Sequence, residues 1–147
     1  MRFELLLHLL SVVVWVGGMF LAYLAVRPAA VEALEAPQRL RLWTGILARF
    51  FRWVWLAVIL ILGTGFSMMG RLSPVPGYVL AMAGIGVLMS AIFLDVYFAP
   101  FGRLKRALQH EDWKAGGAAL GQIRVLVGVN LALGLLNIAI ALLGPLR

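Results

Sequence analysis

Four stretches without a single charged residue, at 5–26, 53–70, 72–94 and 125–146, dictate what this chain can fold into. Each is close to the roughly 20 residues that cross a hydrocarbon core as a helix. In lipid a helix satisfies its backbone groups internally, so apolar runs of this length have few other solutions. The sequence therefore predicts an all-α bundle of four transmembrane helices, over about 3–26, 51–70, 77–99 and 120–144, forming a single domain over 1–147. Composition agrees, with 63% hydrophobic and 13% charged residues against about 45–50% and 25% in ordinary soluble domains. No repeat or linker divides the chain. The second and third runs are separated only by Arg71 and the turn-forming Leu72-Ser73-Pro74-Val75-Pro76-Gly77, which makes them a helical hairpin. The first run exceeds the ~7–15 apolar residues of a secretory signal, so it is expected to be a retained helix.

Orientation follows from Lys and Arg. Arg27, Arg39, Arg41, Arg49, Arg52, Arg103, Lys105, Arg106, Lys114 and Arg124 fall in the two longer connections, whereas the opposite side has Arg2, Arg71 and Arg147. The positive-inside rule then puts both longer connections in the cytoplasm and both termini in the periplasm of a bacterial inner membrane. Those connections are expected to form short interfacial helices, because Pro28 and Pro37 favour turns and Leu40, Trp43, Leu47 and Phe50 recur at helical spacing beside arginines. Trp43, Trp53, Trp55 and Trp113 would form an aromatic belt there. The net charge of +7 comes from basic residues spread between apolar runs, not from a basic face of the kind that binds nucleic acid.

Polar side chains inside the spans carry the functional information, because lipid makes them costly. Glu4, His8, Ser11, Trp15 and Met19 share one face of the first helix, which must point into the bundle. His8 lies about 7–9 Å from the outer end of that helix. Met68, Met69, Met82 and Asn137 come to roughly the same level when rise is counted from each predicted helix end. The chain has no cysteine, and imidazole with thioether is a donor set suited to Cu(I). His8 with Met68, Met69 or Met82 is therefore a candidate metal site, with Glu4 accepting the other imidazole N–H and Asn137 beside it. Two bland alternatives stand next to this. Methionine is a common gap-filler in cores, and His8 hydrogen-bonded to Asn137 or Ser11 would serve as interhelical glue.

Haem is the second cofactor to consider, ligated by His8 alone, by His8 with a methionine, or by two His8 residues of a homodimer, with Trp15 in the cofactor pocket. The other histidine, His110, belongs to the opposite side of the membrane. A second polar layer at the basic end contains Asp95, Arg52, Arg124 and Tyr97. An ion pair of Asp95 with Arg124 or Arg52 is the expected arrangement, the alternative being proton or metal handling. Asn130, Gly134 and Asn137 share a face of the fourth helix, where close helix packing is expected. No Ser/His/Asp set, HExxH or phosphate-cradling loop is present, so the sequence leans away from an enzyme, with haem-based oxidation of a porphyrin or quinol and a non-catalytic membrane assembly subunit as the alternatives to copper handling.

His8 followed by Trp15-Val16-Gly17-Gly18-Met19-Phe20 and by Arg27-Pro28 resembles the first helix of the CopD-like integral membrane proteins. Ala99-Pro100, Arg103-Leu104-Lys105-Arg106-Ala107-Leu108, Asp112-Trp113, Ile123-Arg124, Asn130 and Leu133-Gly134 are similar to small four-helix members of that group. The resemblance implies copper handling at the bacterial inner membrane, together with a periplasmic copper-binding partner. The same first-helix pattern is similar to that of HemJ, a four-helix haem-containing protoporphyrinogen oxidase. Residues 21–28 read Leu-Ala-Tyr-Leu-Ala-Val-Arg-Pro here, without that family's Tyr-Leu-Pro-Arg segment and following histidine.

Overall fold

The computed structural model describes residues 1–146. Apolar sequence propagates as helix wherever no proline or cap interrupts it, and four rods long and apolar enough to cross a membrane result. The first comprises α1 (Arg2–Leu21), a π-helical turn (Ala22–Val26) and α2 (Arg27–Ala33). The second is α3 (Ala36–Met69). The third is α4 (Gly77–Phe98) followed by α5 (Pro100–Gln109), and the fourth is α6 (Trp113–Leu143) with a short 3₁₀ turn at Gly144–Leu146. Among the described residues there is no strand.

The spans agree with the sequence, but at the basic end the helices run well past them. Pro28 does not end the first helix. A proline inside a helix clashes with the carbonyl four residues earlier, and here the turn before it is widened, with the Arg27 N–H reaching the Ala22 carbonyl. The chain passes Pro28 without a break. Leu34, in extended conformation, and Glu35 are the whole connection to α3. Glu35 and Gln38 form a reciprocal capping box there, with Pro37 in the first turn, where its missing N–H costs nothing. Residues 36–50 are thus continuous with the second span, not a separate surface helix.

One separate amphipathic helix does form. The residue before Pro100 is restricted, Ala99 leaves helical geometry, and α5 departs from α4. Phe101, Leu104 and Ala107 are buried on one face, while Arg103, Lys105 and Arg106 are exposed. Glu111 takes a left-handed φ of 52°, and Asp112 then caps α6 by accepting from the Ala115 N–H at 3.1 Å. Asp112→Ala should lower stability by about 1 kcal/mol, seen as a fall of about 2–4 °C in the thermal midpoint in detergent.

The core at the basic half is aromatic. Phe51 meets Phe93 and Phe101 edge-on at 5.5 and 4.9 Å, and Trp55 meets Phe93 and Tyr97 at 5.3 and 5.4 Å. The tryptophan belt is not formed. Trp43 is buried, Trp55 joins this cluster, Trp113 lies under Arg41, and only Trp53, 62% exposed, points outward. Outward faces are otherwise largely aliphatic with a few phenylalanines, Val13, Ile59, Leu142 and Phe98 all being more than 60% exposed, as suits a lipid-facing surface.

α4 and α6 run antiparallel and share two polar rungs. Asn130 Nδ2 donates to the Met89 carbonyl at 3.1 Å, and Asn137 Nδ2 donates to the Met82 carbonyl at 3.3 Å. Seven residues separate the donors and seven the acceptors, so the rungs are two turns apart in one register. Between them Gly134 lets α6 approach α1 and α4, and a Cβ built there would lie 2.9 Å from Val16 Cγ2 and 3.2 Å from Met89 Cε.

Candidate functional site

The inward stripe of α1 is as expected: Ser11, Trp15 and Met19 are buried, and Glu4 and His8 are half-buried. Its partner is α3. Thr64, Ser67, Met68 and Arg71 recur at i, i+3, i+4 and i+7, so one face of α3 meets the polar end of α1. Glu4 receives both guanidinium nitrogens of Arg71, one at 2.8 Å, and the Ser67 hydroxyl at 2.8 Å. The N-terminal ammonium lies 3.6 Å from the same carboxylate. This bidentate clamp, with a charged donor on each oxygen and the Ser67 hydroxyl added on Oε1, ties the start of α1 to the hairpin turn.

His8 sits one turn deeper. Its Nδ1 is 3.0 Å from Thr64 Oγ1, and the Thr64 hydroxyl donates back to the Leu60 carbonyl. With the Thr64 hydroxyl turned to the Leu60 carbonyl, the contact suits the tautomer with its hydrogen on Nδ1. Nε2 is left with its lone pair, the state a metal-ligating imidazole needs. Gly65 makes room for the ring, since a Cβ there would lie 3.3 Å from His8 Cε1.

The expected orienting residues are thus replaced. Glu4 is committed to Arg71 and Ser67, and Thr64 holds the imidazole. Asn137 binds α4 through the Met82 carbonyl and does not join His8. Met68 shares the α1-facing side of α3, one turn beyond Thr64, whereas Met69 follows it off that stripe and Met82 belongs to α4. Trp15 is 3% exposed and meets Phe93 edge-on at 6.2 Å, so it serves the core. It lies two turns, about 10 Å along the helix, from His8. Sequence reasoning missed Thr64, Ser67 and Arg71 as partners, although they form a polar stripe in an otherwise apolar helix end.

The second layer is a correction. Asp95, Arg52 and Arg124 are all exposed, and among the described residues no ion pair joins Asp95 to either arginine. Phe93 and Val96 face the core, and Asp95 between them points outward. Tyr97 packs with Phe51, Phe93 and Trp55. Among the described residues no group of three His, Asp or Glu is arranged to hold a metal. The donors available to a metal at the terminal end are therefore one imidazole and thioethers, a set that fits a soft monovalent ion better than a hard divalent one.

Four apolar rods with a clamped polar end and apolar outward sides define a polytopic membrane protein. The chain belongs to the family described as copper resistance protein D, whose model matches residues 44–143, from the third turn of α3 to the end of α6. The matched stretch includes Thr64, Ser67, Met68, Arg71 and Met82, and α1 with His8 precedes it. No curated protein and no solved structure matches the chain.

Proposed function

We propose that the protein handles copper, as Cu(I), at the membrane face carrying its termini, with His8 Nε2 and the Met68 thioether as principal ligands. Met69 and Met82 stand as further thioethers near that end. The observation that carries this reading is the 3.0 Å contact of His8 Nδ1 with Thr64 Oγ1, which supports a tautomer with a basic Nε2, in a chain whose family is one of copper resistance. Ten basic residues at the opposite end favour placing that end in the cytoplasm of a bacterial cell. The site would then face the periplasm, where a copper-binding protein can give or take the ion for tolerance, uptake or delivery.

The test is competition of the purified protein with a chromophoric Cu(I) chelator. His8→Ala should weaken Cu(I) binding at least tenfold and Met68→Leu should weaken it measurably. Thr64→Val, which removes the acceptor for Nδ1–H, should cost about 10-fold or more without changing any ligand. Unchanged affinity in His8→Ala would overturn the proposal, as would a Soret band in the protein as isolated that disappears in that variant.

A further inference from the structure

At the basic end, remote from His8, α1, the π turn and α2 enclose a cavity of about 400 Å³ against α3 and α6. Its volume falls in the ~300–1,000 Å³ range of small-ligand sites. Three features make it more than a packing defect. The π turn contributes Ala22, Tyr23 and Val26 to its wall, and such wide turns occur mostly at functional positions. On α6, Gly117 and Gly121 both line it, and a Cβ built on either meets nothing within 4 Å. Helix α6 thus presents bare backbone to an open space that larger residues would fill.

The third feature is charge. The wall is apolar and aromatic, yet Arg27, Arg39 and Arg124 line it and no Asp or Glu does. Among the described residues the only carboxylate in an ion pair is Glu4, at the other end of the molecule. Arg39 donates to the Leu34 carbonyl at 3.2 Å and Arg27 lies 5.7 Å over the Tyr23 ring. Both contacts position a guanidinium without neutralising it. Three cations bordering an apolar cavity where helices leave the hydrocarbon call for an occupant with an anionic head and a hydrocarbon body.

We propose that this cavity binds an acidic phospholipid of the membrane, with the phosphate between Arg27, Arg39 and Arg124 and part of an acyl chain against Gly117 and Gly121. Guanidinium forks suit phosphate oxygens, and a chain threaded between α1, α3 and α6 would fill the space that the glycines leave. This is independent of the copper reading, since no residue is shared with the His8 end.

The full chain, purified in a neutral detergent, is titrated with phosphatidylglycerol or with phosphatidylcholine of the same acyl composition. Binding is followed by native mass spectrometry and by the thermal midpoint. Phosphatidylglycerol should bind at least tenfold more tightly than phosphatidylcholine and raise the midpoint. Gly121→Leu replaces a poor helix former where there is room, so its lipid-free midpoint should be no lower than that of the unsubstituted protein while its lipid-dependent rise is lost. Arg39→Gln combined with Arg124→Gln should reduce the preference for phosphatidylglycerol at least tenfold and keeps the test decisive if the leucine variant fails to fold. Equal binding of the two lipids, undiminished binding by either variant, or the same midpoint rise with inorganic phosphate or a free fatty acid would each overturn the proposal.

Discussion

Gly134→Leu is expected to leave almost no folded bundle in detergent. The position is buried where α1, α4 and α6 meet, and even a Cβ would press on Val16 at 2.9 Å and Met89 at 3.2 Å. Met89 is a flexible neighbour, but Val16 has a branched side chain with few alternative rotamers. Overpacking of this kind costs about 1–3 kcal/mol and sometimes more. The cost does not stop at the clash, because Gly134 lies on the face that also bears Asn130 and Asn137. Pushing α6 away from α4 lengthens both Asn-to-carbonyl rungs, each worth roughly 0.6 kcal/mol in a membrane bundle. Close approach is the main source of helix association where lipid is as apolar as the side chains, so little remains to compensate. Gly134→Ala should be milder, with a lowered but measurable midpoint. Gly84→Leu supplies the control, since that glycine is exposed and a Cβ there meets nothing within 4 Å. A midpoint for Gly134→Leu equal to that of Gly84→Leu would show that α6 is not held where the structure places it.

The second large effect is expected from Phe51→Ala. Phe51 is 3% exposed and joins α3 to α4 through Phe93 and Tyr97, and to α5 through Phe101. Truncation would remove three edge-to-face contacts, each worth about 0.5–1.5 kcal/mol beyond area, and leave a void that neither lipid nor water can fill. A loss of about 3 kcal/mol follows. Phe98→Ala should cost far less, because that ring is 69% exposed even though it touches Trp55 and Tyr97. Chemical unfolding in mixed micelles compares the two. Similar losses in both variants would mean that the aromatic cluster does not organise the basic half.

The four spans were legible because a membrane imposes a length on apolar sequence, and the inward stripe of α1 because an α-helix imposes a period. Glu4, His8, Ser11, Trp15 and Met19 all face the bundle for that reason. Partners across helices were not legible in the same way. Level can be estimated from rise, but which helix lies opposite His8 depends on packing order, and Thr64 of α3 occupies the place assigned to Glu4. Asp95 was misread for a related reason. Depth was counted but rotation was not, although the core spacing Met89, Phe93, Val96 and Pro100 leaves position 95 off the inward stripe. Pro28 misled because its clash is local, and a local remedy, the widened turn before it, was enough to absorb it.

That widened turn also separates the two ends of the first rod. Five residues occupy it, at Ala22–Val26, where a regular helix would need fewer for the same advance, so it amounts to one extra residue taken up without a break. Because that residue is absorbed within the turn, losing it should restore a regular helix there and leave Arg27 on one side, and Glu4 and His8 on the other, at about their present azimuths. The chain therefore has a place where its length can change by one codon while both ends of the rod stay aimed as they are.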